Sequence, residues 1–320
     1  MVKIQTENFD LEQICQSGQC FRMNRQERQS LTDGRESRLQ ENIGQFEIKK
    51  QEAKKQLDNS QLQDLEYVYH VIAGQRYLEI MQQGREYQFC CSQEEFDSFW
   101  KGYFDLEQDY ASYISQINPK DIYLLSAAKF GSGIRILRQE LWEMIVSFLI
   151  SQQNNIARIR RCIENICEAY GEKRISEQGK EYYGFPRPEV LAELEEDALM
   201  ACNLGYRSKY VVRTAKMVVS GKIDLDKVKQ MSYKKAKEEL MKLFGVGEKV
   251  AECICLFALH HLEAFPVDTH ISQALERHYR RGFPRRRYKG ILGVMQQYIF
   301  IMSCMVSRGE MCCPVPPEKA

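Results

Sequence analysis

Two residues in this sequence are placed to do chemistry together, Lys249 and Asp268. Lys249 follows the connection Phe244-Gly245-Val246-Gly247-Glu248, which joins two segments of helical periodicity in LMKLFGVGEKVAECICLFAL (240–259). Gly245 and Gly247 admit backbone angles closed to other residues, so the turn can be tight, and Val246 between them can plug into the core. Such a turn presents backbone N–H groups at the start of the second helix, where a phosphate can bind without any basic side chain. Lys249 falls in the first turn of that helix, where the positive end of the helix dipole disfavours an ammonium. A lysine in that unfavourable place is a candidate nucleophile, because the free amine is the attacking species. A lysine reaching solvent or a phosphate would read equally well from these residues alone.

Nineteen residues later, FPVDTHISQAL (265–275) places Asp268 to cap a helix that starts at Thr269, with Pro266 stiffening the approach. Capping and catalysis do not compete. A cap aspartate is held in one geometry by backbone N–H groups that favour the carboxylate. A fixed carboxylate near a free amine is what cleavage of a glycosidic bond needs, since it can take a proton and stabilise positive charge developing on a sugar.

The elements that must position this pair divide into two kinds. YVYHVI, RYLEIM and EYQFCC, from Tyr67 onward, are rich in aromatic and β-branched residues and are separated by AGQ and QGR, turns suited to hairpins. With residues 1–23, read as the entry to a sheet with a polar loop SGQ at 17–19, they predict one antiparallel sheet. After Phe104 the pattern is helical: 141–151, 156–170, 207–220, 233–243, 249–259, 269–279 and 288–306. The expected class is α+β, a small antiparallel sheet domain (1–110) followed by a larger all-helical domain (111–320), the boundary falling near 105–120. Residues 25–66 interrupt the first domain with eight glutamines and few apolar residues, which predicts a solvated insertion, unstructured or loosely helical.

Of the 320 residues, 44% are apolar and 28% charged, with a net charge of +1, so any DNA-binding surface must concentrate its basic groups on one face. No apolar run reaches about 18 residues and the N-terminus lacks the layout of a secretion signal, which predicts a cytoplasmic chain, nucleoid-associated if bacterial, with no membrane contact. The twelve cysteines include no CxxC pair, which points to reduced thiols, with no metal and no cofactor.

The hairpin ending LFGVGEKVA, followed by PVDTH, resembles the helix-hairpin-helix glycosylases, and most closely the 8-oxoguanine DNA glycosylase/AP lyase family. SGQCFR (17–22), YFDLEQDY (103–110), SQQNNIARI (151–159), LGYRSKYV (204–211), VAECICLFAL (250–259) and GVMQQYIF (293–300) carry the likeness in the family's order over nearly the whole chain. The resemblance implies a monomer that extrudes 8-oxoguanine opposite cytosine from duplex DNA, excises it through a lysine Schiff base and nicks the strand. It implies Lys249 as nucleophile and Asp268 as catalytic carboxylate. Gly18 would accept the N7 hydrogen of the lesion through its carbonyl, and Gln296 would bond the Watson–Crick edge. Phe300 and Cys253 would sandwich the base, with Phe257 beside them where relatives often carry Met. His270 and the Gly245-Val246-Gly247 turn would meet phosphates. Arg158 and Arg207 would read the orphaned cytosine, Tyr206 would wedge beside it, and Gln153, Asn154 and Asn155 would lie at the vacated stack. Relatives often have Asn where Gln153 stands, and Trp where Met23 follows FR.

Other readings are possible on the same fold. An alkylated-base glycosylase typically lacks the lysine after the hairpin. An iron–sulfur endonuclease needs four spaced cysteines near the C-terminus, which this tail does not have. A non-catalytic DNA-binding module has no need of both Lys249 and Asp268. The run Arg277, Arg280, Arg281, Arg285, Arg286, Arg287 and Lys289 reads as phosphate contacts or as a soluble loop.

Overall fold

The structure, a computed structural model, describes residues 1–27 and 67–309. The insertion predicted at 25–66 therefore lies outside the described residues except at its first three positions, which belong to a strand.

The chain opens with β1 (Val2–Gln5), α1 (Leu11–Gln16), β2 (Met23–Glu27), β3 (Tyr67–Ala73), β4 (Arg76–Gln83) and β5 (Glu86–Phe89). All neighbouring strands are antiparallel, in the order β1-β5-β4-β3-β2. Alternation decides the buried face: Tyr69, Val71, Leu78, Ile80, Tyr87 and Phe89 point into one core. Gly74 and Gly84 make the hairpin turns with φ of 58° and 60°.

Helical structure begins earlier than the sequence predicts. α2 (Gln93–Glu95) continues through a π-helical turn (Phe96–Trp100) into α3 (Lys101–Tyr103), whose aromatic residues close the sheet's core. Then follow α4 (Tyr110–Ser115), α5 (Ile122–Phe130), α6 (Leu141–Ser151) and α7 (Ile156–Tyr170). A small hairpin of β6 (Lys173–Ile175) and β7 (Glu181–Tyr183) interrupts the helices, which the reading of an all-helical second half missed. α8 (Pro188–Ala192), α9 (Arg207–Val219), α10 (Leu225–Lys229), α11 (Tyr233–Leu240), α12 (Glu248–Phe257), α13 (Thr269–His278) and α14 (Leu292–Ser307) complete the order. Residues 1–23 also differ from expectation, because LEQICQ folds as α1, capped by Asp10 through the Gln13 N–H.

Most of α6 and most of α14 are buried, and the other helices pack around them in a second, larger core. The cores interlock. Phe21, from the sheet half, packs in the helical core, and Leu137, from the helical half, packs in the sheet core. Gln19 is fully buried and sews the seam. Its amide nitrogen donates to the Arg135 carbonyl, its Oε1 accepts from the Leu137 N–H, and its own carbonyl accepts from Gln139. Arg22 pairs with Glu164 at 2.9 Å, and Arg160 reaches the Cys15 carbonyl at 2.8 Å. Arg160 is thus a structural tie between the two halves.

Candidate active site

The turn between α11 and α12 adopts a helix-hairpin-helix shape, but its two glycines serve different ends. Gly245 has φ +85°, and a Cβ there would stand 2.7 Å from the Tyr210 ring, so both conformation and space require glycine. Gly247 has φ −92° and ψ 180°, an ordinary extended conformation, contrary to the expectation of special angles at both positions. It caps α12 with no side-chain hydrogen bond and has open space where a Cβ would be, so the first N–H groups of α12 are uncovered. Val246 is buried as a plug, and Gln152 donates to the Gly245 carbonyl at 3.0 Å, holding the turn against the end of α6.

Lys249 leaves the first turn of α12 exposed, with its Nζ 5.9 Å above the centre of the Phe148 ring. Asp268 caps α13, its Oδ1 accepting from the Ile271 N–H at 2.8 Å. The segment that carries it is clamped from two sides. Glu252, on the lysine helix, accepts from the Phe265 N–H at 2.7 Å. On α14, Gln296 donates to the Pro266 carbonyl at 3.0 Å and Ser303 donates to the His270 carbonyl at 3.2 Å. Both groups face one cleft of about 540 Å3, which Gly18, Phe148, Cys253, Phe257, His270 and Phe300 also line. That volume lies within the range of pockets that enclose a small organic ligand.

Phe148 is a wall of this cleft that the sequence reading passed over. It stacks on Phe257 at 5.7 Å between centres and meets Phe21 edge-on. Across the cleft, Phe300 meets the His270 ring edge-on at 5.9 Å. Cys253 is buried, and burial pushes its thiol up to about 11, with Lys249 pulling the other way. It therefore presents a neutral thiol face. Gly18 has φ +71°, and a Cβ there would stand 3.1 Å from Phe300 Cζ. Gln296 is buried with its amide already engaged, Nε2 by Pro266 and Oε1 by Gln297. Gln297, which the sequence reading did not single out, lines the same cleft.

The residues expected to read an opposite base are arranged differently. Arg158 is exposed at the start of α7, reaching the Asn203 carbonyl at 3.4 Å. Arg207 is only 4% exposed and is turned inward, donating to the carbonyls of Gln152, Gln153 and Leu204. Tyr206 is exposed over the Arg207 guanidinium. Gln153 is exposed at the apex of its turn with φ 48°. Asn154 donates to the Ile150 carbonyl, and Asn155 caps α7 through the Arg158 N–H. The basic run at 277–289 is exposed at Arg277, Arg280, Arg281, Arg285, Arg286, Arg287 and Lys289. Arg285 packs over Phe265. None of the ten described cysteines is joined in a disulfide, and no described helix is long and apolar enough to cross a membrane.

Comparison with known proteins covers both halves of the molecule. Residues 1–145 match the N-terminal domain of 8-oxoguanine DNA glycosylase, and residues 146–288 match the HhH-GPD superfamily of base excision DNA repair proteins. The apo crystal structure of the Clostridium acetobutylicum 8-oxoguanine glycosylase/lyase is similar with a TM-score of 0.75, 32% identity, and coverage of 93% of this chain and 94% of that one. An N-glycosylase/DNA lyase of Saccharomyces cerevisiae is 38% identical over 159 residues, 46% of this chain and 42% of that protein. A probable N-glycosylase/DNA lyase of Methanothermobacter thermautotrophicus is 28% identical over 228 residues, 62% of this chain and 71% of its own. This chain thus spans less than half the length of the yeast protein.

Proposed function

The chain belongs to the 8-oxoguanine DNA glycosylase family of the HhH-GPD superfamily, and from that membership and the cleft we propose the activity, its residues and its course. The protein excises 8-oxoguanine, paired with cytosine, from duplex DNA and then nicks the strand, acting as a monomer. One observation carries this reading: Lys249, Asp268 and Gly18 come from distant parts of the chain and line a single cleft, walled by Phe300 and Cys253.

The damaged nucleotide leaves the stack and its base enters between Phe300 and Cys253. The lone pair of the Lys249 amine forms a bond to the sugar C1′ as the glycosidic bond breaks, and the base departs with that bond's electrons. The Asp268 carboxylate stabilises the positive charge building on the sugar and takes a proton from the attached amine. Opening of the sugar gives an imine, and elimination of the 3′ phosphate then breaks the strand. The Gly18 carbonyl accepts the N7 hydrogen that 8-oxoguanine has and guanine lacks. The uncovered N–H groups of α12 take a backbone phosphate, as does His270. Arg158, Arg207, Tyr206 and the 153–155 turn attend the orphaned cytosine.

The test is incubation with an 8-oxoguanine:cytosine duplex in borohydride, which reduces the imine to a stable amine. A covalent protein–DNA adduct is expected with this duplex and not with its undamaged counterpart. Base release without any adduct would rule out the lysine route, and equal adduct with both duplexes would rule out the substrate.

A further inference from the structure

α14 is apolar over most of its length, yet it carries two adjacent glutamines inside the protein, Gln296 and Gln297, 3% and 2% exposed. Their amides form a chain that runs in one direction. Gln297 Nε2 donates to Gln296 Oε1 at 3.0 Å, and Gln296 Nε2 donates to the Pro266 carbonyl at 3.0 Å. The chain begins at Gln297 Oε1, which is shielded from solvent and has no hydrogen-bond partner among the described residues. Folded proteins rarely leave a buried side-chain oxygen unmatched, because it forfeits its bonds to water and gains nothing in return. An apolar residue would cost nothing of the kind at this position. Gln297 also lines the cleft, so the donor that would match its oxygen can arrive with a ligand.

The direction of the chain says which donor. Each amide nitrogen spends one of its two N–H groups along the chain toward Pro266, and the buried atom left wholly unmatched is an acceptor, Gln297 Oε1, beside the second lone pair of Gln296 Oε1. Two neighbouring acceptors suit an edge with two neighbouring donors. The Watson–Crick edge of a guanine-type base has them, N1–H and the 2-amino group. An adenine-type edge places an acceptor, N1, where the first donor must be.

We propose that Gln297 is a specificity-determining residue of the cleft, its Oε1 accepting a hydrogen bond from the exocyclic 2-amino group of the extruded base. This rests on the reading of the cleft as a base pocket. It adds to Gln296 a second amide, so that the N1–H and the 2-amino group are received by different side chains. Gln297 also acts as a positioning residue, because its nitrogen fixes which way the Gln296 amide points.

The two roles separate with a pair of substrates. 8-Oxohypoxanthine is 8-oxoguanine without the 2-amino group. Single-turnover excision of each, opposite cytosine, is measured for the full chain and for Gln297→Leu, with Gln297→Met as a second apolar variant of similar length. Melting temperatures establish that each variant folds. The unaltered protein should favour 8-oxoguanine by about tenfold, the value of one buried hydrogen bond, and the apolar variants should bring the ratio close to one. A role limited to positioning Gln296 slows both substrates alike and leaves the ratio unchanged, as does a bound water in place of the amine. An unchanged ratio in either folded variant overturns the proposal. A ratio of one in the unaltered protein does so too, while leaving the glycosylase reading intact. If the unaltered protein excises neither base, both readings fall together.

Discussion

On one side of the cleft, Lys249 stands exposed over the Phe148 ring, and Asp268 is held by its cap bond and by the clamps from Glu252, Gln296 and Ser303. Away from the cleft lining, Arg207 directs its guanidinium into the protein, onto the carbonyls of residues 152, 153 and 204. The difference is one of readiness. Groups proposed to act on the damaged base already face open space. A group proposed to read its former partner is employed in holding a turn, and it reaches a base only by exchanging internal acceptors for external ones. In the proposed reaction, chemistry is therefore pre-organised on the lesion side, while recognition across the duplex waits for DNA.

Substitutions can break this contrast or sharpen it. The largest effect belongs to Lys249→Gln, which should abolish base release and borohydride trapping. Because the side chain is exposed, stability should stay within about 0.5 kcal/mol of the unaltered protein. Trapping at the normal level in this variant would move the nucleophile elsewhere. Asp268→Asn comes next. Asn caps a helix nearly as well as Asp, so the melting temperature should barely move while single-turnover excision falls by orders of magnitude. Full activity would leave Asp268 with its cap alone.

Gly18→Ala should slow excision on the order of a hundredfold, because the new methyl presses on the Phe300 ring and the residue keeps a positive φ. Binding to an abasic-site duplex, which has no base to read, should change much less. Normal excision by this variant would remove the N-terminal domain from lesion recognition. The smallest catalytic effect is expected from Arg207→Ala, which should narrow the preference for cytosine over adenine opposite the lesion only several-fold. Its stability cost should be larger, about 1–3 kcal/mol for carbonyls left without donors, whereas the exposed Arg158→Ala should cost little. Equal melting temperatures for the two variants would show that the inward bonds of Arg207 do not matter to the fold.

The sequence was most readable where one periodic pattern ran long enough to compete with others. β3, β4 and β5 alternate cleanly between glycine turns, and α6 and α7 match their predicted limits because each is bounded by a capping residue. α1 was hidden because six residues make fewer than two turns, too few for a helical period to emerge. β6 and β7 have three residues each, which no alternation can identify. The same contrast holds at the site. The Gly245 turn, Lys249 and the cap at Asp268 are local features written in adjacent residues. The inward turn of Arg207 depends on carbonyls some fifty residues away, and nothing around position 207 announces it. Gln297 left a trace, a second polar residue beside Gln296 in an apolar helix, but its meaning needed the unmatched oxygen.

The buried amide of Gln19 has a consequence for how the molecule comes apart. It is bonded to positions 135 and 137, and the backbone carbonyl of the same residue to Gln139, while Phe21 and Leu137 each reside in the other half's core. Neither core can loosen without exposing part of its neighbour, so the free energy of melting one includes a share of the other. The loop bearing Gly18 sits on that seam. The two halves are therefore coupled in cooperativity as well as in space, and a cut through the chain near residue 105 would separate two incomplete interiors.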